Sequence, residues 1–168
     1  MPMEQDDGTK TFQLVPSGIF IPAQMFLAAA AGPAIVISDA IHQSWALDGA
    51  GASESVSTGF VCPPYWDAVD MTFYGYNVGA GAGGVVIGYY LEDLIQGQNM
   101  VTEAPAIANF TTFTALAQDL LSVVAGPTKV ATTRGAYHSL RVGRESANVG
   151  DTLANDWGLL GVLLKKAA

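Results

Sequence analysis

Short runs of β-branched and aromatic residues, closed at intervals by Pro and Gly, make up most of the chain. No stretch sustains the 3.6-residue spacing of an amphipathic helix, and such punctuated runs predict strands. TFQLV (Thr11–Val15) stops at Pro16, Ser17 and Gly18, and IFI (Ile19–Ile21) stops at Pro22. Further strands are expected at Ala34–Ile37 and His42–Asp48. The clearest alternation runs from Glu54 to Cys62, where Val56, Thr58, Phe60 and Cys62 share one face and Ser55, Ser57, Gly59 and Val61 the other. Pro63 and Pro64 end it. Alternation resumes over Ala68–Tyr76, with Val69, Met71 and Phe73 opposed to Asp70, Thr72 and Tyr74. NVGAGAGG then turns the chain into VVIGYYL (Val85–Leu91), so these two strands read as one hairpin with a long glycine loop.

Residues Glu92 to Pro127 are ambiguous. FTTFT is β-prone, whereas the following Ala, Gln and Leu tolerate a helix, so either a short helix around Ala115–Val123 or two strands would fit. Ala136–Val142 and Trp157–Leu164 read as the last strands. Leu159, Leu160, Val162, Leu163 and Leu164 are apolar on both faces of the final one, which suits a central or covered strand. The total is about eight to ten short antiparallel strands. They predict an all-β fold, a jelly-roll-like β-sandwich, in one domain over 11–168. Residues Met1–Lys10 are polar and acidic, and read as a flexible or partner-bound arm.

Composition narrows the function. Of 168 residues 50% are hydrophobic and only 13% charged, against roughly 25% in a typical soluble domain. A surface so poor in charge fits a chain whose outer face is covered by partner subunits. The net charge of −8 provides no basic field for phosphates, which argues against direct nucleic-acid binding. The single cysteine, Cys62, rules out an internal disulfide. The acidic opening argues against a signal peptide, and no run is long enough to span a bilayer. A product made in the cytoplasm without a membrane anchor is the expectation.

Candidate chemistry is sparse. Gly79, Gly81 and Gly84 formally spell a G-x-G-x-x-G, but a β-branched strand follows where a dinucleotide site needs a helix. His42 and His138 sit in no nucleophile signature, and His138 reads as an ordinary strand histidine. The carboxylates Glu92 with Asp93, Asp67 with Asp70, and Asp151 with Asp156 read as turn chemistry. No cofactor and no metal is expected, and the chain reads as a non-enzyme. Aromatic residues crowd Tyr65–Tyr90. They suit a sheet core, a subunit contact or a carbohydrate platform. The partner interface is expected at Tyr65, Trp66, Tyr74, Tyr76, Trp157, Leu159 and Leu160.

The closing segment, LRVGRESANVGDTLANDWGLLGVLLKK, carries Arg144 at a strand end, a GDTLA loop (Gly150, Asp151, Thr152, Leu153, Ala154), Asp156, and a final LLGV (Leu159, Leu160, Gly161, Val162). Upstream stand Pro22, Ala23 and Met25, and a Pro63, Tyr65, Trp66, Asp67 element. Over roughly Thr11–Leu164, with Glu92–Pro127 matching poorly, the chain resembles small virion structural proteins of tailed bacteriophages. That resemblance implies a jelly-roll-like virion protein without catalytic residues, located on the head, at the base of a head fibre, or in the tail. The expected function is capsid decoration or cementing by a symmetric oligomer, a trimer for preference, bound to the major capsid protein or other virion proteins. The alternative is a tail or fibre protein that binds a host-surface glycan.

Overall fold

The computed structural model describes residues 17–28, 33–38, 42–48, 54–94, 107 and 109–168. The arm expected at Met1–Lys10 and the strand expected at Thr11–Val15 lie outside them. Twelve strands are present among the described residues: β1 Ile19–Pro22, β2 Leu27–Ala28, β3 Ala34–Ser38, β4 His42–Leu47, β5 Glu54–Val61, β6 Ala68–Asn77, β7 Gly84–Leu94, β8 Asn109–Thr114, β9 Leu121–Ala125, β10 Val130–Ala131, β11 Tyr137–Arg144 and β12 Trp157–Lys166. Ten of them are longer than two residues. The all-β, jelly-roll-like sandwich holds. The ambiguous stretch forms two strands, β8 and β9, and not a helix at Ala115–Val123.

Two antiparallel sheets make the sandwich. The larger runs β10-β6-β12-β4-β3, with β1 added to β12 and β9 to β6; the smaller runs β2-β5-β11-β7-β8. β12 is central, paired along one edge with β6 and along the other with β4 and β1. Its apolar residues on both faces follow from that position. The register with β6 slips between Leu159 and Gly161. This bulge lets Trp157, Leu159, Val162 and Leu164 all reach the core despite uneven spacing, since each is fully buried. From the other sheet Val85, Ile87, Leu140, Val142 and Val56 close the core.

The expected hairpin between β6 and β7 does not form. Both edges of β6 are taken, by β12 on one side and by β9 and β10 on the other. β7 therefore pairs with β11 and β8 in the opposite sheet, and the glycine loop is a crossover. Its glycines are required by close approach. A Cβ at Gly83 would lie 2.7 Å from the Leu153 nitrogen, and one at Gly84 would lie 2.3 Å from the Gly150 carbonyl oxygen.

Candidate functional site

The outer face of the larger sheet carries a shallow depression of about 270 Å³, lined by Phe20, Pro22, Gln24, Gln43, Tyr74, Leu121 and Leu160. Glycines in β12 shape it. A Cβ at Gly161 would meet Phe20 Cζ at 2.7 Å, and one at Gly158 would meet Tyr76 Cε1 at 2.7 Å. Without those side chains the rings settle against the backbone of the sheet. Phe20 meets Tyr74 edge to face, with centroids 5.6 Å apart and planes at 87°. That geometry is favoured by the ring quadrupoles. Tyr76 is buried beside them and its hydroxyl lies 2.9 Å from Ser44 Oγ. Phe20 and Leu121 remain about half exposed, and no Asp, Glu, His, Lys or Arg is among the lining residues. The surface is therefore flat, apolar and neutral, with two side-chain amides. It can hold an apolar partner surface or the face of an uncharged ring.

Of the residues expected at a partner interface, Tyr74 and Leu160 line this depression. Trp66, Trp157 and Leu159 are fully buried and Tyr76 nearly so. Trp66, Trp157 and Leu159 belong to the core and Tyr76 is covered by its neighbours, which corrects the expectation. The cause is an inward strand face for Trp157 and Leu159 and, for Trp66, a closed turn whose amide donates to the Pro63 carbonyl at 3.0 Å; Tyr76 shares the outer face of β6 with Tyr74 and is covered there, its ring over Gly158 and its hydroxyl against Ser44. Tyr65 is only partly buried and packs at the edge of the core, away from the depression. Phe20, Gln24, Gln43 and Leu121 were not expected here. Ile19, Phe20 and Ile21 are uniformly apolar, so no alternation marked Phe20 as the outward one.

The closing motif is structural. The Arg144 side chain has no solvent exposure, and that of Asp151 is 1% exposed. Arg144 Nε and Nη2 donate to the two Asp151 oxygens at 3.0 and 2.7 Å. The remaining donors reach the carbonyls of Leu47 at 3.2 Å, Asn155 at 2.5 Å, and Leu153. Asp151 Oδ2 also accepts from the Val86 amide at 2.9 Å, and Thr152 Oγ1 from the Gly84 amide at 2.8 Å. The GDTLA loop is thus a clamp that ties the end of β11 to the start of β7 and, through Arg144, to the end of β4.

Asp67 and Asp93 also find basic or hydroxyl partners. Asp67 pairs with Arg134 at 2.9 Å, and the hydrogen bond from that guanidinium holds the Asp67 carboxyl below the usual aspartate range. Asp93 Oδ1 lies 2.7 Å from Nδ1 of the fully buried His138, and Asp93 Oδ2 accepts from Thr133 Oγ1. His138 Nε2 faces the Thr133 carbonyl at 3.2 Å, and its ring stacks on Phe60. With that nitrogen turned to a backbone oxygen, His138 has no nucleophile to activate. Cys62 is buried, its Sγ 3.6 Å from the Trp66 carbonyl. Among the described residues no group of three or more His, Cys, Asp or Glu is placed to hold a metal ion. No helix among them is long and apolar enough to cross a membrane.

No protein-family model and no curated protein matches the sequence. Solved structures with a similar fold exist. A GH26-CBM35 β-(1,4)-mannanase from Podospora anserina is similar over 90% of this chain at a TM-score of 0.58 and 11% identity, and this chain spans 28% of that protein. The CBM36-1 domain of a multidomain xylanase from the hindgut metagenome of Trinervitermes trinervoides is similar over 90% of this chain and 98% of its own, at a TM-score of 0.52 and 12% identity. At such identities the likeness extends to the sandwich architecture.

Proposed function

We propose that this chain is a non-catalytic virion structural subunit that decorates or cements a phage head, and that the depression around Phe20, Tyr74 and Leu160 is its contact surface. The observation that carries the reading is a neutral, half-exposed aromatic surface on a charge-poor protein. Apolar and aromatic residues dominate the centres of stable interfaces, and charges are depleted there. The virion assignment rests on the resemblance of the closing segment. Symmetric association would satisfy several copies of the same surface at once.

The test is Tyr74→Asp, which places a charge in the depression. Light scattering of the purified protein should fall from an oligomeric mass, near three chains, towards one chain. Occupancy on particles should drop by at least about tenfold, in line with a central contact worth about 2 kcal/mol. Unchanged mass together with unchanged occupancy refutes this surface.

Gln24 and Gln43 favour a second reading, a tail or fibre protein binding a host-surface glycan. Amides beside an aromatic ring suit a neutral sugar, with its apolar face on the ring and its hydroxyls on the amides. Under this reading glycan-array binding is lost on Tyr74→Ala and reduced on Gln43→Ala, while the solution mass stays constant.

A further inference from the structure

On the far side of β9 from Leu121, a second concavity of about 290 Å³ opens between β8 and β9. Among the described residues β8 pairs only with β7 and β9 only with β6, so these two strands are the neighbouring margins of opposite sheets. The cleft therefore leads into the sandwich between the sheets. Its walls carry the hydroxyls of Thr111, Thr112, Thr114 and Ser122, and the apolar groups of Phe113 and Val124. Phe113 is braced from behind by Trp157, edge on, with centroids 5.4 Å apart.

Ser122 is the unusual member. It is 3% exposed, its neighbours Leu121 and Val123 point outward, and its Oγ has no hydrogen-bond partner. A buried hydroxyl left unpaired destabilises the fold. The fold carries that cost at a position that lines the floor of an open cleft.

We infer that the β8–β9 cleft is a binding site for a single neutral sugar ring. Three features select that class. No ionisable side chain lines the cleft, so nothing would compensate a phosphate, a carboxylate or an ammonium group on entry. The walls alternate hydroxyls with apolar groups, which complements a pyranose with hydroxyls on its rim and C–H groups on its face. The volume lies at the low end of the roughly 300–1,000 Å³ of ligand pockets, enough for one ring and too small for an extended peptide strand. The site is separate from the outer depression and holds or fails independently of it.

The test is an NMR titration of ¹⁵N-labelled full-length protein with neutral monosaccharides and their methyl glycosides, to tens of millimolar. The expected result is saturable shifts confined to Thr111–Thr114 and Ser122–Val124 for at least one sugar. Ser122→Ala should weaken that binding about three- to tenfold. Thr114→Trp, at the exposed rim, should block it without touching the core. The corresponding uronic acid should bind more weakly than its neutral parent. Binding of methyl glycosides assigns the cleft to the end of a glycan; binding of the free sugar alone assigns it to a soluble monosaccharide. Absence of saturable shifts, or shifts that persist unchanged in folded Thr114→Trp, overturns the proposal.

Discussion

A guanidinium without solvent contact must find acceptors for its donors, and Arg144 does so through one carboxylate and two carbonyls of the loop before β12 and the Leu47 carbonyl at the end of β4. Breaking such a pair from one side leaves a buried charge. Asp151→Ala is therefore expected to cost about 3–5 kcal/mol in urea unfolding, and Arg144→Met with Asp151→Leu together less than the sum of the single changes. The double variant distinguishes an ion pair that stabilises the fold from one that only becomes costly when broken. Tyr89 carries a titration in the other direction. Burial pushes its phenol above the ordinary value of 10.0. The protonated phenol is the form that the fold favours, so stability from this group is fully present below the unfolded pKa. It is lost as pH rises through the folded one. Unfolding midpoints should fall above about pH 10 in the parent protein and fall less in Tyr89→Phe.

At the scale of elements, β12 decides the shape of both faces. Its bulge redirects the inward side chains, and Gly158 and Gly161 make room for rings outside. Gly161→Ala would set a Cβ 2.6 Å from the Ile21 carbonyl oxygen. Backbone cannot yield as a side-chain tip does, so about 1–3 kcal/mol of destabilisation is expected. Lost hydrogen-exchange protection at Ile19–Pro22, where β1 joins β12, would locate it. Most strands were legible from the sequence because alternation and Pro-Gly punctuation are local signals. β5 and β6 lie where their alternation placed them. The glycine crossover was not legible, because its strand partners depend on which edges of β6 were already occupied. The bulge at Leu160 was equally hidden: leucines on both sides mask a change of parity. The outer depression was half legible. Tyr74 and Leu160 were marked by type, whereas Phe20, Gln24, Gln43 and Leu121 meet them only through pairings between distant segments.

Among the described residues, Glu54, Arg144 and Lys165 stand at or near strand ends, and the depression on the larger sheet is lined by no Asp, Glu, His, Lys or Arg. The acidic excess of eight charges coexists with apolar side chains exposed on the larger sheet. A sandwich with such a face either associates through it or uses it for uncharged ligands, and the two proposals above assign separate surfaces to those tasks. The fold alone selects neither, since similar sandwiches serve many purposes. Solution mass and sugar titration address the two surfaces separately, so failure of one leaves the other standing.

The position of β12 also bears on synthesis. The strand that joins β6 to β4 and β1 is the last of the twelve in the chain. While the ribosome is still translating the residues before Trp157, β1 has no partner strand, and β4 and β6 each have an edge open. The larger sheet can close only after β12 has cleared the exit tunnel. Until then the nascent chain exposes apolar strand edges that invite mispairing. Closure of the larger sheet therefore waits for the last of these strands, and chaperone demand should peak before β12 emerges.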